Sequence, residues 1–283
     1  MRIVLLTAVA MAAFAANSIL ARLALGSGAI DAASYTGIRL ASGAVVLGLL
    51  VMLRGNLSWR TVAAMGTWRQ AAALLGYALA FSLAYMLLGA SVGALILFAS
   101  VQIGMVARAL LIGDRPGIFE WLGLGLAGAA FVYLVSPGLA APDPLGAVLM
   151  VISGLCWAAY SLLGRGSARP LIDTAGNFIR CLPAAVLLLA AGLALNVPRL
   201  DGIAYAVASG ALASGLGYAV WYAALPALSR TRAAVVQLSV PVIAALGAVL
   251  FIGEAMSPRL LVSAVLILGG IALATLLASR RAR

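Results

Sequence analysis

Aromatic residues recur at helical spacing in three places along this 283-residue chain: Tyr77, Phe81 and Tyr85; Trp157 and Tyr160; and Tyr218, Trp221 and Tyr222. The spacings of three, four and eight put each set on one stripe of a helix. Such stripes either line a cavity for a planar or apolar side chain or form the belt where helices leave a bilayer. Asn17 and Gln102 fall near the middle of apolar runs. An unpartnered amide is costly there, so each must face protein, as helix–helix glue, or a wet cavity. Arg39 and Arg180 also lie inside apolar runs. A guanidinium so placed either holds a carboxylate through paired hydrogen bonds or serves as a structural post on loop backbone. With Phe98, the candidate solute-binding set is Asn17, Tyr77, Phe81, Phe98, Gln102, Trp157, Tyr160 and Tyr218. Pro183 and Pro241 interrupt apolar helices and are candidate gating positions, since a proline inside a span frees a carbonyl and suits a bent gate or a static kink.

Covalent chemistry finds little footing. There is no histidine, and the seven acids, Asp31, Asp114, Glu120, Asp143, Asp173, Asp201 and Glu254, all fall at expected helix ends or loops. Cys156 and Cys181 sit inside expected helices and read as buried thiols, with no disulfide. No nucleophile–base cluster and no metal set is visible, which argues against an enzyme, a metal and a cofactor. A channel would need a ringed filter, and none stands out. The acids also bear on energetics: a proton-coupled carrier keeps a titratable group deep in the membrane, and this chain shows none. Facilitated movement or exchange is the expectation.

The elements that position these groups must be membrane spans. Hydrophobic residues make up 65% of the chain and charged ones 9%, against roughly 45–50% and 25% in soluble domains. A bilayer core takes about 20 apolar residues per helix. Ten spans are expected near residues 3–24, 32–53, 71–89, 92–112, 118–137, 146–164, 172–195, 203–225, 233–252 and 260–279. The polar stretch at 54–70 reads as a connector with a short interfacial helix carrying Trp59 and Trp68. The opening run is read as a span and not as a cleaved signal peptide. Glycines at 123, 125, 128, 269 and 270 read as helix-packing positions. The net charge of +11 comes entirely from arginines scattered at span ends, so nucleic acid is not the expected partner. With the N-terminus cytoplasmic, thirteen of the eighteen arginines fall in or beside cytoplasmic segments, which is the positive-inside bias with both termini inside.

The sequence also repeats itself. Leu20, Arg22, Ile30, Asp31, Ile38 and Arg39 recur in order as Leu163, Arg165, Ile172, Asp173, Ile179 and Arg180. Phe14, Asn17 and Arg22 match Trp157, Tyr160 and Arg165, and residues 81–114 lie without gaps on 221–254, both ending in Ile-Gly and an acid. Residues 1–140 and 141–283 therefore read as two repeats of five spans. Because five is odd, the second enters the membrane upside down relative to the first, leaving a site between them near the midplane.

The first-helix pattern of an aromatic followed eight residues later by arginine, the arginine inside the second helix, and Pro241 before Gly253-Glu254 resemble the EamA branch of the drug/metabolite transporter superfamily. Residues 155–170 resemble the bacterial aromatic amino-acid exporters, while Val101, Asp114 and Phe14 depart from the pattern. The resemblance implies an all-α integral membrane protein of the bacterial inner membrane. In it, helices 1–4 and 6–9 surround a central cavity, helices 5 and 10 lie at the periphery, and a monomer exports small amphipathic metabolites by alternating access. Amino acids, aromatic ones included, fit the sparse charge; a drug or nucleoside-type metabolite is the alternative.

Overall fold

A computed structural model describes residues 2–55, 58–111, 113, 117–136, 141–164, 167–228 and 236–281. Asp114 and Arg165, which the repeat pairs with Glu254 and Arg22, lie outside the described residues, as do Arg115, Arg230, Arg232 and Arg283. Among the described residues the chain is helical throughout, without strands. Lipid offers the backbone no hydrogen-bond partners, so apolar runs of this length must satisfy their own amides by coiling.

The helices are α1 (Arg2–Leu25), α2 (Ala32–Gly55), α3 (Trp59–Ala64), α4 (Trp68–Leu87), α5 (Ala90–Leu111), α6 (Ile118–Val135), α7 (Pro144–Leu163), α8 (Pro170–Arg180), α9 (Leu182–Leu195), α10 (Leu200–Val207), α11 (Gly217–Ala224), α12 (Ser239–Gly247) and α13 (Pro258–Arg281). A π-helical segment, Ala208–Leu216, joins α10 to α11, and a π turn, Ala248–Ile252, extends α12. Among the described residues six helical runs, α1, α2, α4, α5, α7 and Leu200–Ala224, are long and apolar enough to cross a bilayer, and the α8–α9 pair makes a seventh; Trp121–Leu134, Ser239–Ile252 and Pro258–Leu273 are shorter apolar helices.

Local chemistry explains the boundaries. Asp143 accepts a hydrogen bond from the Gly146 amide at 2.7 Å, and Pro144 opens α7 where no amide is needed. Ser58 caps α3 and Thr67 caps α4. Trp68 is the first residue of α4 and does not share a short helix with Trp59; Gly66, at a φ of 74°, and the Thr67 cap end one helix and start the next between them. The seventh expected span is broken at Cys181 by 42°, since Pro183 in the first turn of α9 cannot donate back into α8. Pro241 lies buried in the first turn of α12, just past a break at Leu238.

The halves interleave instead of standing apart. Helix α4 runs along α7, α5 also packs on α7, and α2 packs on α9 and the π segment. Helix α1 is clasped by α11 and α12, and α5 meets α12. Helices α6 and α13 pack chiefly on each other; a Cβ added to Gly270 would sit 2.5 Å from the Gly123 carbonyl oxygen. Gly125, Gly128 and Gly269 face open space, so only Gly123 and Gly270 of that glycine pattern bring the two backbones together. Both cysteines are free; Cys181 is buried, and its thiol donates to the Ala71 carbonyl at 3.3 Å, while Cys156 is half-buried.

Candidate functional site

Where α1, α4, α5, α7, α11 and the segment leading into α12 converge, they form a cavity of ≈ 30 Å³ lined by Phe14, Asn17, Ser18, Tyr77, Phe81, Leu97, Phe98, Trp157, Tyr218 and Gln237. That is room for about one water. Of the eight candidate binding residues, six line it: Asn17, Tyr77, Phe81, Phe98, Trp157 and Tyr218. Gln102 is half-buried further along α5, outside the lining. Tyr160 lies one ring away, its centroid 5.4 Å from that of Trp157. Phe14, Ser18, Leu97 and Gln237 also line the cavity but were not in the candidate set.

The rings form one continuous network. Tyr77 lies 4.9 Å from Trp157 and 5.4 Å from Phe81, Trp157 stacks on Tyr218 at 5.5 Å, and Tyr218 meets the edge of Phe14 at 5.6 Å. Trp221 touches only the Phe14 side of this network, at 6.0 Å. Offset and edge-on pairs of this kind are worth about 0.5–1.5 kcal/mol each beyond burial, which gives the walls a defined shape.

Besides Ser18 and Gln237, two polar groups stand out, Asn17 in the lining and Arg39 behind it. Asn17 Oδ1 accepts from Ser209 Oγ at 2.8 Å and Ser214 Oγ at 3.3 Å, both hydroxyls supplied by the π segment. The stretch from 208 to 216 is built from Ala, Ser, Gly and Leu, and a Cβ at Gly210 would collide with the Arg39 carbonyl oxygen. The widened turn thus comes close to both Asn17 and Arg39, and π segments often mark functional sites.

Arg39 is the second feature. Its side chain is 2% exposed, Nη2 donates to the Tyr77 hydroxyl at 2.9 Å, and the guanidinium carbon lies 5.1 Å and 4.7 Å from the Tyr77 and Phe81 ring centroids. Nη1 has no hydrogen-bond partner, and no carboxylate lies within 4.0 Å among the described residues. Two cavity walls therefore cover a buried cation that lacks a counter-ion. Ring faces offset part of that cost, and an incoming anion would offset the rest.

Arg180 is placed differently. Nη1 donates to the carbonyls of Ala63, at 2.7 Å, and Met65, and Nη2 to Ala64 at 3.1 Å. Its charge is committed to the C-terminal carbonyls of α3, away from the cavity.

A polar clasp lies beyond the lining at each end of the cavity. At one end Glu254 accepts from the Ala90 amide at 2.6 Å, the Ser91 amide at 3.1 Å and Ser91 Oγ at 3.0 Å. Arg22 Nε lies 3.9 Å from the same carboxylate, and Arg22 Nη1 donates to the Tyr85 carbonyl at 3.3 Å. Tyr85 is 4.6 Å from Phe81, so this clasp sits one helical turn beyond the lining. Gly253, at a φ of 74°, turns the chain so that Glu254 can reach α5. At the other end the Tyr160 hydroxyl donates to Thr174 Oγ1 at 3.4 Å, and Thr174 Oγ1 to the Tyr222 hydroxyl at 3.2 Å. Below them Asp173 and Asn177 accept from the Gly66 and Thr67 amides at 3.2 and 2.9 Å. Among the described residues Asp31, Asp143, Asp173, Asp201 and Glu254 all bind backbone or hydroxyl groups at helix ends.

An all-helical bundle with these apolar spans, closing on a small aromatic chamber with polar clasps at both ends, is built as a multi-pass membrane transporter. Residues 144–276 match the EamA-like transporter family. An uncharacterised protein of Pseudomonas aeruginosa is 52% identical over 275 residues, 96% of this chain and 94% of its own length. The threonine/homoserine exporter RhtA of Escherichia coli K12 is 29% identical over 159 residues, 55% of this chain and 53% of RhtA. The uncharacterised inner membrane transporter YedA of the same organism is 30% identical over 95 residues, covering 34% and 31% of the two chains. A solved crystal structure shares the fold, with a TM-score of 0.63 at 22% identity over 98% of this chain and 99% of that one. Residues 144–276, the C-terminal half of the chain, belong to the EamA-like transporter family.

Proposed function

We propose that the chain is an alternating-access exporter of small amphipathic metabolites, specifically amino acids with aromatic ones included, working by facilitated diffusion or exchange. The observation that carries this reading is the Arg39 guanidinium behind the Tyr77 and Phe81 rings of a small aromatic chamber, its Nη1 unpartnered and no carboxylate within 4.0 Å among the described residues. A carboxylate reaching past Tyr77 would supply the missing counter-ion, while Phe14, Trp157 and Tyr218 receive the side chain and Asn17 or Gln237 the amino group. RhtA, whose name gives threonine and homoserine as cargo, supports an amino acid over a bulkier solute. Pro183 and Pro241, each beside a break in its rod, serve as hinges, and the π segment lets α11 shift against α10.

The helices act as ten spans in two inverted repeats, residues 1–140 and 141–283. Their packing supports the inversion. Arg22, at the end of α1, bonds to Tyr85, and Gly146, at the start of α7, packs on Leu87 and Leu88 beside it. Helix α7 thus begins at the level where α1 finishes. Contacts also come in matched sets: α4 with α7 mirrors α1 with α11, and α5 with α7 mirrors α1 with α12. The chain works as a monomer in the bacterial inner membrane with both termini cytoplasmic, so the Glu254 clasp closes the outer mouth and the Tyr160–Thr174–Tyr222 chain the inner one.

A competition screen on purified protein in liposomes tests the reading. Amino acids bearing a free carboxylate are expected to compete for labelled tyrosine or threonine counterflow, with nucleosides and cationic drugs inert. Competition by nucleosides or cations alone would transfer the assignment to another cargo class.

A further inference from the structure

The geometry points to a binding site for an anionic phospholipid in a groove between α2, α8 and α11. At ≈ 410 Å³ it is far roomier than the central chamber. Its walls are apolar, from Val51, Leu171, Ile172 and Ala223, and its mouth carries Arg54 and Arg169. Arg54 lies in the last turn of α2 and Arg169 immediately precedes α8, at the level where these helices leave the apolar layer on the arginine-rich side.

Charge complementarity selects the occupant. Both arginines are exposed, and neither has a carboxylate within 4.0 Å among the described residues. Asp173, four residues beyond Arg169, is taken by Ser167 Oγ at 2.5 Å and the Gly66 amide at 3.2 Å. Two uncompensated cations beside an oily slot match a ligand with a phosphate head and an acyl tail; basic pockets between helices at the cytoplasmic surface hold such heads. A zwitterionic amino acid fits less well, because the Tyr222 hydroxyl is already held by Thr174 and the walls offer nothing for an amino group. Tyr222 also begins the chain through Thr174 and Tyr160 to Trp157. A lipid seated here therefore presses on the inner closure of the chamber and holds α11 against α8.

Native mass spectrometry tests the site without reference to transport. Protein extracted mildly from membranes of mixed phosphatidylglycerol and phosphatidylcholine is expected to retain phosphatidylglycerol, and the doubly substituted Arg54→Gln/Arg169→Gln protein to retain about thirtyfold less, at roughly fivefold per basic residue. Ala223→Trp, which fills the slot and leaves the charges, is expected to expel the lipid as well, whereas Arg108→Gln on α5 leaves retention unchanged. Equal retention of both lipids, or retention undiminished in both groove variants, overturns the proposal. Displacement of the lipid by added amino acid also overturns it and assigns the groove to solute entry.

Discussion

Replacing Glu254 by glutamine separates the charge of the outer clasp from its shape. The carboxylate receives three hydrogen bonds from the first turn of α5, at 2.6, 3.1 and 3.0 Å, and faces Arg22 at 3.9 Å. Glutamine keeps one acceptor oxygen but turns an amide group toward N–H donors. Hydrogen bonds to a charged group are worth about 1.5–3 kcal/mol against about 0.5–1.5 for neutral ones. A negative charge at a helix N-terminus adds about 0.3–1 kcal/mol, and a partly exposed ion pair such as that with Arg22 at most about 1 kcal/mol. Partial solvation brings the net loss to roughly 1–2 kcal/mol, a factor of about 5–30 in the ratio of clasped to unclasped protein. Hydrogen–deuterium exchange reads this directly, since the affected amides are those of Ala90 and Ser91. Exchange in the first turn of α5 is expected to quicken about 5–30-fold in Glu254→Gln, with the α3–α8 contacts unchanged. Unaltered exchange at α5, or an equal rise at both ends of the molecule, would refute the view of Glu254 as a local clasp.

Three further outcomes are expected. Arg39→Gln removes the cation behind Tyr77 and Phe81, so KM for amino acids rises about tenfold or more in liposome counterflow while that for the decarboxylated amine stays put; an equal change for both removes the carboxylate contact. Trp157→Ala takes the ring shared by Tyr77, Tyr160 and Tyr218 out of the wall and abolishes transport without preventing membrane insertion, whereas unchanged flux would assign Trp157 to the interfacial belt. Gly270→Val forces a side chain to within 2.5 Å of the Gly123 carbonyl and lowers the unfolding temperature in detergent by the equivalent of about 1–3 kcal/mol, with Gly269→Val as the harmless control.

Helical rods were legible because hydrophobic run length is set by bilayer thickness; the expected apolar segments coincide with helix to within a few residues, except that the first residues of 233–252 lie outside the described ones. The aromatic stripe Tyr77–Phe81 and the ring of Trp157 were legible for the same reason: helical spacing decides which residues share a face. Tertiary placement was not. Gln102 looked like Asn17, a lone amide in an apolar run, yet only Asn17 meets the cavity; Gln102 shares a face with Phe98 but lies a turn further along α5, and the depth of the cavity along that helix has no local signal. Leu97 and Gln237, at matching places in the two repeats, both line the chamber; neither stood out in the sequence, because the repeat carries the candidate Phe98 onto Leu238, one residue away. Arg39 and Arg180 matched in sequence but diverge in setting, because a short connector helix, α3, lies under Arg180 and has no counterpart in the sequence of the other half. The π segment is written in small residues whose effect depends on α2 lying against them.

The central claim is a chamber reached in turn from either side of the membrane, and Ser18, a lining residue with a small side chain, reports on it. In protein lacking Cys156 and Cys181, Ser18→Cys should react with a membrane-impermeant maleimide in both right-side-out and inside-out vesicles, with amino acid slowing both reactions. Reaction from one side only, whatever amino acid is present, would contradict alternating access.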